Sequence, residues 1–136
     1  GAGNVQSVKY AFDRLGYDAE ITDDYEKIRS ADKVIFPGVG EASSTMKALK
    51  KKKLDILIPN LKQPVLGICL GMQMMCKFSE EGNTDGMGIF DLNVKRFSKG
   101  LKVPQIGWNQ IESLKTDLFN GISEKEYMYL VHSYYV

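Results

Sequence analysis

The residues that most often do chemistry are scarce in this 136-residue sequence, which has one histidine, two cysteines and one tryptophan. Two cysteines, Cys69 and Cys76, cannot make the disulfide framework of a small secreted domain, so free thiols in a reducing, cytoplasmic compartment are expected. With a single distant histidine they also lack metal-site spacing, and neither a metal nor a cofactor is expected. No apolar run approaches the roughly 20 residues of a membrane-spanning helix, and no signal peptide is visible. Basic excess is missing too: 18 Lys and Arg against 17 Asp and Glu leave a formal charge of +1. That argues against a nucleic-acid surface. Repeats, low-complexity tracts and an interdomain linker are absent, so one domain over 1–136 is expected. What remains is 43% hydrophobic and 26% charged, enough for a core without covalent staples.

Along the chain, Val5, Val8, Ala11, Phe12 and Leu15 recur at helical spacing, with Asn4 as the expected N-cap and Gly16 as the stop. Ala19–Thr22 alternates like a short strand, and Asp23–Ala31 reads as a short helix. Lys33–Phe36 is a continuous apolar strand ended by Pro37-Gly38-Val39-Gly40. A second amphipathic helix runs from about Ala42 through Met46 and Leu49 into Lys50–Lys53, whose charges suit the negative end of a helix dipole. Leu54–Leu61 is a further helical stretch. Pro64–Ile68 reads as a strand buried on both faces, after which Leu70, Gln73, Met74 and Phe78 resume a 3.6-residue period. From Gly86 the character changes to short alternating segments at Gly88–Val94, Pro104–Trp108, Gln110–Leu114 and Tyr127–Val136. The pattern predicts an α/β fold whose parallel sheet is extended by antiparallel strands.

Gly67-Ile68-Cys69-Leu70-Gly71 joins the third strand to the helix after it. A small residue two before and two after Cys69 lets the chain turn sharply and leaves the thiol at the crest. The helix dipole there favours thiolate, and the backbone N–H of Leu70 has no helical acceptor, so it can donate to an oxyanion. The plainer alternative is a small buried cysteine beside helix-packing glycines. In a parallel sheet the loops after neighbouring strands converge, which would bring the amides of Val39 and Gly40 in as second oxyanion donor. An ordinary glycine turn explains Pro37–Gly40 equally well on its own.

Gly67–Gln73 (G-I-C-L-G-M-Q) resembles the nucleophile elbow of the class I glutamine amidotransferases. Gly1–Asn4 (G-A-G-N), Pro37–Gly40 (P-G-V-G), Pro104–Asn109 (P-Q-I-G-W-N) and Val131–Tyr135 (V-H-S-Y-Y) follow the order and spacing of one branch, the glutaminase subunits of imidazole glycerol phosphate synthase. The resemblance spans the chain, with Gln105 standing where histidine is commoner. It implies the αβα, flavodoxin-like amidotransferase architecture. It also implies that Cys69 attacks the side-chain amide of glutamine, and that ammonia passes to a (β/α)8-barrel cyclase partner as part of histidine biosynthesis. By position, Gln73 and Glu81 would hold the substrate's α-amino and α-carboxylate ends, with backbone from Ser133 and Tyr134. Trp108, Asn109 and Tyr129 would lie near the cyclase and the ammonia path. Each of these has a plainer reading: Glu81 and Gln73 as surface residues, Trp108 and Asn109 as packing.

His132, the only histidine, invites pairing with Cys69 as a base. The resemblance assigns it instead to the V-H-S-Y-Y strand, because the family's base and its carboxylate belong to a His-Pro-Glu segment not found in this sequence. The chain opens without Met and closes in an apolar run, so both ends are expected to be cut. The first strand and the His-Pro-Glu segment would then lie outside, and the chain alone should show negligible glutaminase turnover. Gly1-Ala2-Gly3 begins like a dinucleotide fingerprint, but Gln6 stands where the third glycine belongs. Two rivals remain: a redox or stress module with an oxidisable elbow cysteine, which leaves Pro104–Asn109 and Val131–Tyr135 unexplained, and a catalytically silent relative.

Overall fold

The computed structural model describes residues 2–38 and 40–136, and within them the chain forms two compact units, residues 1–96 with Val136 and residues Phe97–Tyr135. In the first unit, helix α1 (Ala2–Arg14) begins ahead of Asn4, which therefore lies inside the helix and is not its N-cap. The helical backbone is carried through the small residues before it. At the other end the predicted stop holds: Gly16 adopts φ +78°, and the N–H groups of Tyr17 and Gly16 donate to the carbonyls of Phe12 and Asp13, closing the helix in a Schellman motif.

The strand expected at Ala19–Thr22 does not form. Alternation fits a strand only where a ladder partner exists, and among the described residues none pairs with this segment. Thr22 Oγ1 instead accepts from Asp24 N–H, and the Asp24 side chain caps α2 (Tyr25–Ser30) by accepting from Lys27 N–H at 2.9 Å. Strand β1 (Val34–Pro37) follows, then α3 (Ala42–Lys51) and α4 (Leu54–Asn60). The lysine run ends α3 as expected. Lys50 and Lys51 occupy its last turn, Lys52 pairs with Asp23, and Lys53 turns the chain at φ +57° into α4.

Strand β2 (Val65–Ile68) pairs in parallel with β1, Phe36 opposite Gly67 and Pro37 opposite Ile68. It is only half-buried, with Leu66 36% exposed, because one of its faces is open here. Helix α5 (Leu70–Met75) is shorter than its periodicity suggests. Phe78 belongs to β3 (Cys76–Ser79), which pairs with β4 (Thr84–Asp85) antiparallel and with β5 (Phe90–Arg96) in parallel. Ladder bonds on both sides of β3 outweigh the local helical period. The core of the unit is Ala42, Met46 and Leu49 of α3, Leu54, Leu57 and Ile58 of α4, and Leu70 and Met74 of α5. Each large side chain buried this way contributes about 1.5–3 kcal/mol.

The second unit is built on an antiparallel pair, β6 (Gln105–Gln110) and β7 (Tyr127–His132), with β8 (Tyr134–Tyr135) after a break at Ser133. The strand expected over Gln110–Leu114 does not form, and Gln110 is the last residue of β6. Ile111 still exchanges backbone bonds with Lys125 and Glu126, but Ser113 turns to φ +61°, and the Glu124 carboxylate takes the N–H groups of Ser113 and Leu114 at 3.0 and 2.9 Å. A side chain there replaces the ladder. The result is mixed α/β, with parallel pairs in the first half and an antiparallel hairpin in the second, as the sequence pattern predicts.

Candidate active site

Cys69 stands between the last residue of β2 and the first of α5 with φ +54° and ψ −121°. A side chain in that region is strained, costing of order 1–3 kcal/mol unless neighbours impose it. The neighbours are visible. A methyl group on Gly71 would fall on the carbonyl oxygen of Phe36, and one on Gly38 would fall on the backbone N of Gly71 and the Cβ of Leu70. On Gly67 it would meet Met72 Cα at 2.6 Å and Met75 Sδ at 2.7 Å. The start of α5 is therefore pressed directly onto the end of β1, and only hydrogen at these positions allows it. The strain at Cys69 follows from a strand and a helix docked too closely for a relaxed turn.

The consequence for the thiol is exposure. Cys69 is open to solvent while Leu70 and Gly71 behind it are buried. Leu70 is the first helical residue, so its N–H has no acceptor within the helix; the first such bond runs from Gln73 N–H to Cys69 O at 3.1 Å. Gln73, one turn on, is buried beside the elbow as its spacing requires. Gly38 sits against Leu70 and Gly71, so the loop after β1 does reach the elbow, and Gly40 follows at φ +97°. Val39 lies outside the described residues. Cys76, the other thiol, contrasts in its burial. It is buried, its Sγ lies 3.8 Å from Met72 O, and burial raises its pKa.

Glu81 is half-buried in a 3₁₀ turn (Glu81–Asn83), where its N–H donates to Ser79 Oγ at 3.2 Å and its Oε2 accepts from Ala42 N–H at 3.0 Å. It is thus tied to the start of α3, directly after the Pro37–Gly40 loop. Sequence reasoning missed the second carboxylate at this place. Glu41 is the N-cap of α3, accepting from Ser43 N–H at 2.9 Å and from Ser44 N–H and Ser43 Oγ at 3.0 Å. Those bonds hold its carboxyl below the usual range. Glutamate is not among the favoured capping residues, so no pattern signalled it.

The remaining predicted residues lie in the second unit. Trp108 and Tyr129 are directly opposed across β6 and β7, their rings edge to face at 5.4 Å, and both are exposed. Ile106 and Val131, the next opposed pair on that face, are exposed as well. Asn109 points to the other face, where its Nδ2 donates to Gly107 O at 3.0 Å. Ser133 O accepts from Phe97 N–H at 3.2 Å. The His132 Nδ1–H donates to Tyr134 O at 2.8 Å, which fixes the tautomer of the neutral ring and leaves Nε2 as its acceptor.

A strained, exposed cysteine at a strand-to-helix turn, with the first amide of the helix behind it, defines a nucleophile elbow. The chain belongs to the class I glutamine amidotransferase family: the family model described as "Glutamine amidotransferase class-I" matches residues 2–136. Within that family it is similar to the "Imidazole glycerol phosphate synthase subunit HisH" of Bacteroides fragilis (strain YCH46), with 60% identity over 99% of this chain and 70% of that protein. The subunit of the same name from Haemophilus influenzae (strain Rd) is 51% identical, over 100% of this chain and 69% of its own. A solved structure titled "Crystal structure of glutamine amidotransferase" superposes with a TM-score of 0.73 at 19% identity, covering 95% of this chain and 66% of that one, a likeness of fold.

Proposed function

We propose that this chain is the glutaminase part of an imidazole glycerol phosphate synthase in histidine biosynthesis. The sulfur of Cys69 attacks the side-chain amide carbon of glutamine, and the carbonyl oxygen becomes an oxyanion received by the N–H of Leu70 and by the loop of Val39 and Gly40. The C–N bond then breaks, the nitrogen takes a proton and leaves as ammonia, and a glutamyl thioester remains. Water cleaves that thioester, returning the Cys69 thiol and releasing glutamate. The Glu81 carboxylate pairs with the substrate's α-ammonium, and Gln73, one turn after Cys69, holds the substrate beside the nucleophile. Ammonia passes to a (β/α)8-barrel cyclase, and Trp108, Asn109 and Tyr129 lie near that partner and the ammonia path. The two free thiols suit a reducing cytoplasm.

The observation that carries this reading is the turn at Cys69: φ +54°, solvent-exposed thiol, and the first amide of α5 directly behind it. A redox module would also want an exposed thiol, but it has no use for an amide aimed at a developing oxyanion. A γ-electrophilic glutamine analogue tests the difference. One equivalent should attach to Cys69, and glutamine should suppress the reaction. Labelling at Cys76, or labelling indifferent to glutamine, refutes the assignment.

A further inference from the structure

Two carboxylates take all three leading N–H groups of α3: Glu81 receives that of Ala42, and Glu41 receives those of Ser43 and Ser44. The residue immediately before Glu41 is Gly40, the described end of the loop that reaches the elbow. The Glu41 carboxylate also lies against Gly82, where any Cβ would overlap its Oε1. Gly82 itself turns at φ +63° beside Glu81. Glu41 therefore touches two structures at once: the start of α3 that holds Gly40, and the turn that carries Glu81. Capping alone does not need this arrangement. The shorter side chain of aspartate caps helices well and would stop short of Gly82.

We infer that Glu41 is a positioning residue that holds Gly40 and the Glu81 turn in a fixed relation, so that the grip on the substrate's α-amino group and the oxyanion donor at Gly40 are set together. This rests on the glutaminase reading above. Glu41 touches no substrate and acts through its neighbours. The link is short. From Glu81 Oε2 one hydrogen bond reaches Ala42 N–H, two residues after Gly40, and the Glu41 carboxylate braces the same turn from the other side.

The variant that separates positioning from capping is Glu41→Asp, compared with Glu41→Ala and wild type in the native protein assembled with its synthase partner. Glu41→Asp keeps a carboxylate on the Ser43 and Ser44 amides, so its melting midpoint should match wild type. Its kcat/KM for glutamine should nevertheless fall about tenfold, shared between a higher KM and a lower kcat, because a displacement of about 1 Å at a reacting centre costs up to about 10²-fold. Alkylation of Cys69 by iodoacetamide, which needs neither Gly40 nor Glu81, should keep its wild-type rate. Glu41→Ala should lose both activity and melting temperature. Wild-type kcat and KM in Glu41→Asp, or an activity loss that merely tracks loss of folded protein, overturns the inference. A wild-type protein whose Cys69 ignores the glutamine analogue removes the glutaminase reading and this inference with it.

Discussion

Gly71→Ala tests the physical account of the elbow most directly, because two effects of opposite sign meet there. Helix propensity favours alanine over glycine inside a helix by about 0.5–1 kcal/mol, so the change should stabilise α5 if nothing else mattered. The added methyl, however, lands on the Phe36 carbonyl oxygen, with Phe36 C at 2.8 Å and Pro37 C at 3.1 Å. All three are backbone atoms of β1, tied by the ladder to β2, and no rotamer change relieves them. An ordinary carbon–oxygen contact is about 3.3 Å or more, so the start of α5 must retreat by on the order of 1 Å. Overpacking of this kind costs about 1–3 kcal/mol, which offsets or outweighs the propensity gain and leaves a net loss of up to about 2.5 kcal/mol. Activity should suffer far more than stability. The retreat moves Cys69 and the Leu70 amide away from the loop carrying Gly38 and Gly40, and a shift of about 1 Å is worth roughly 10²-fold in rate. The assay is ammonia release from glutamine by the assembled synthase, beside a thermal melt of the same preparation. A folded Gly71→Ala protein that turns over glutamine at the wild-type rate would falsify the close-docking account.

Two further outcomes are expected. A thiol reagent should modify Cys69 alone in the native protein and both cysteines after denaturation, since Cys69 is exposed while Cys76 is 1% exposed with its pKa raised by burial; equal native reactivity would contradict this. The Glu41 carboxyl is held below its usual pKa by the amides of Ser43 and Ser44, so its stabilising contribution is complete above the ordinary glutamate range and is lost as pH falls through the lower folded value. Glu41→Gln should therefore flatten that part of the acid limb, followed as denaturant midpoints between pH 7 and about pH 3, where an unchanged limb would count against the cap.

How much of this could be read from the letters depended on range. Gly16, the lysine run and the apolar strands at Lys33–Phe36 and Pro64–Ile68 were legible because their signals are local: a left-handed stop, a helix-end charge, an unbroken apolar stretch. The elbow at Cys69 was legible for the same reason, since its small residues sit two positions to either side. Ala19–Thr22 and Phe78 misled because their fate is set by partners far along the chain. One segment lacks a ladder to join, and the other finds two. The contact of Gly71 with Phe36 and the carboxylate pair at α3 join residues more than 30 apart, so no spacing rule could disclose them. The glycines of Pro37–Gly40 suggested a loop that lets amides come close, and the packing of Gly38 against Leu70 adds a second reason for its lack of a side chain.

The parallel pairing of β1 with β2 has a consequence for how this centre can fail. The loop with Gly38 and the turn with Cys69 leave from adjacent rungs, Pro37 opposite Ile68. Strand pairing slides only in whole residues of about 3.3 Å, and each step turns the side chains to the opposite face. The separation between nucleophile and oxyanion loop is therefore coarse-grained. Small thermal distortions are returned to the same rung, whereas the smallest error of register, about 3.3 Å, would be several times larger than catalysis tolerates. Errors of strand register should therefore divide a population into competent and dead copies with few gradations between them.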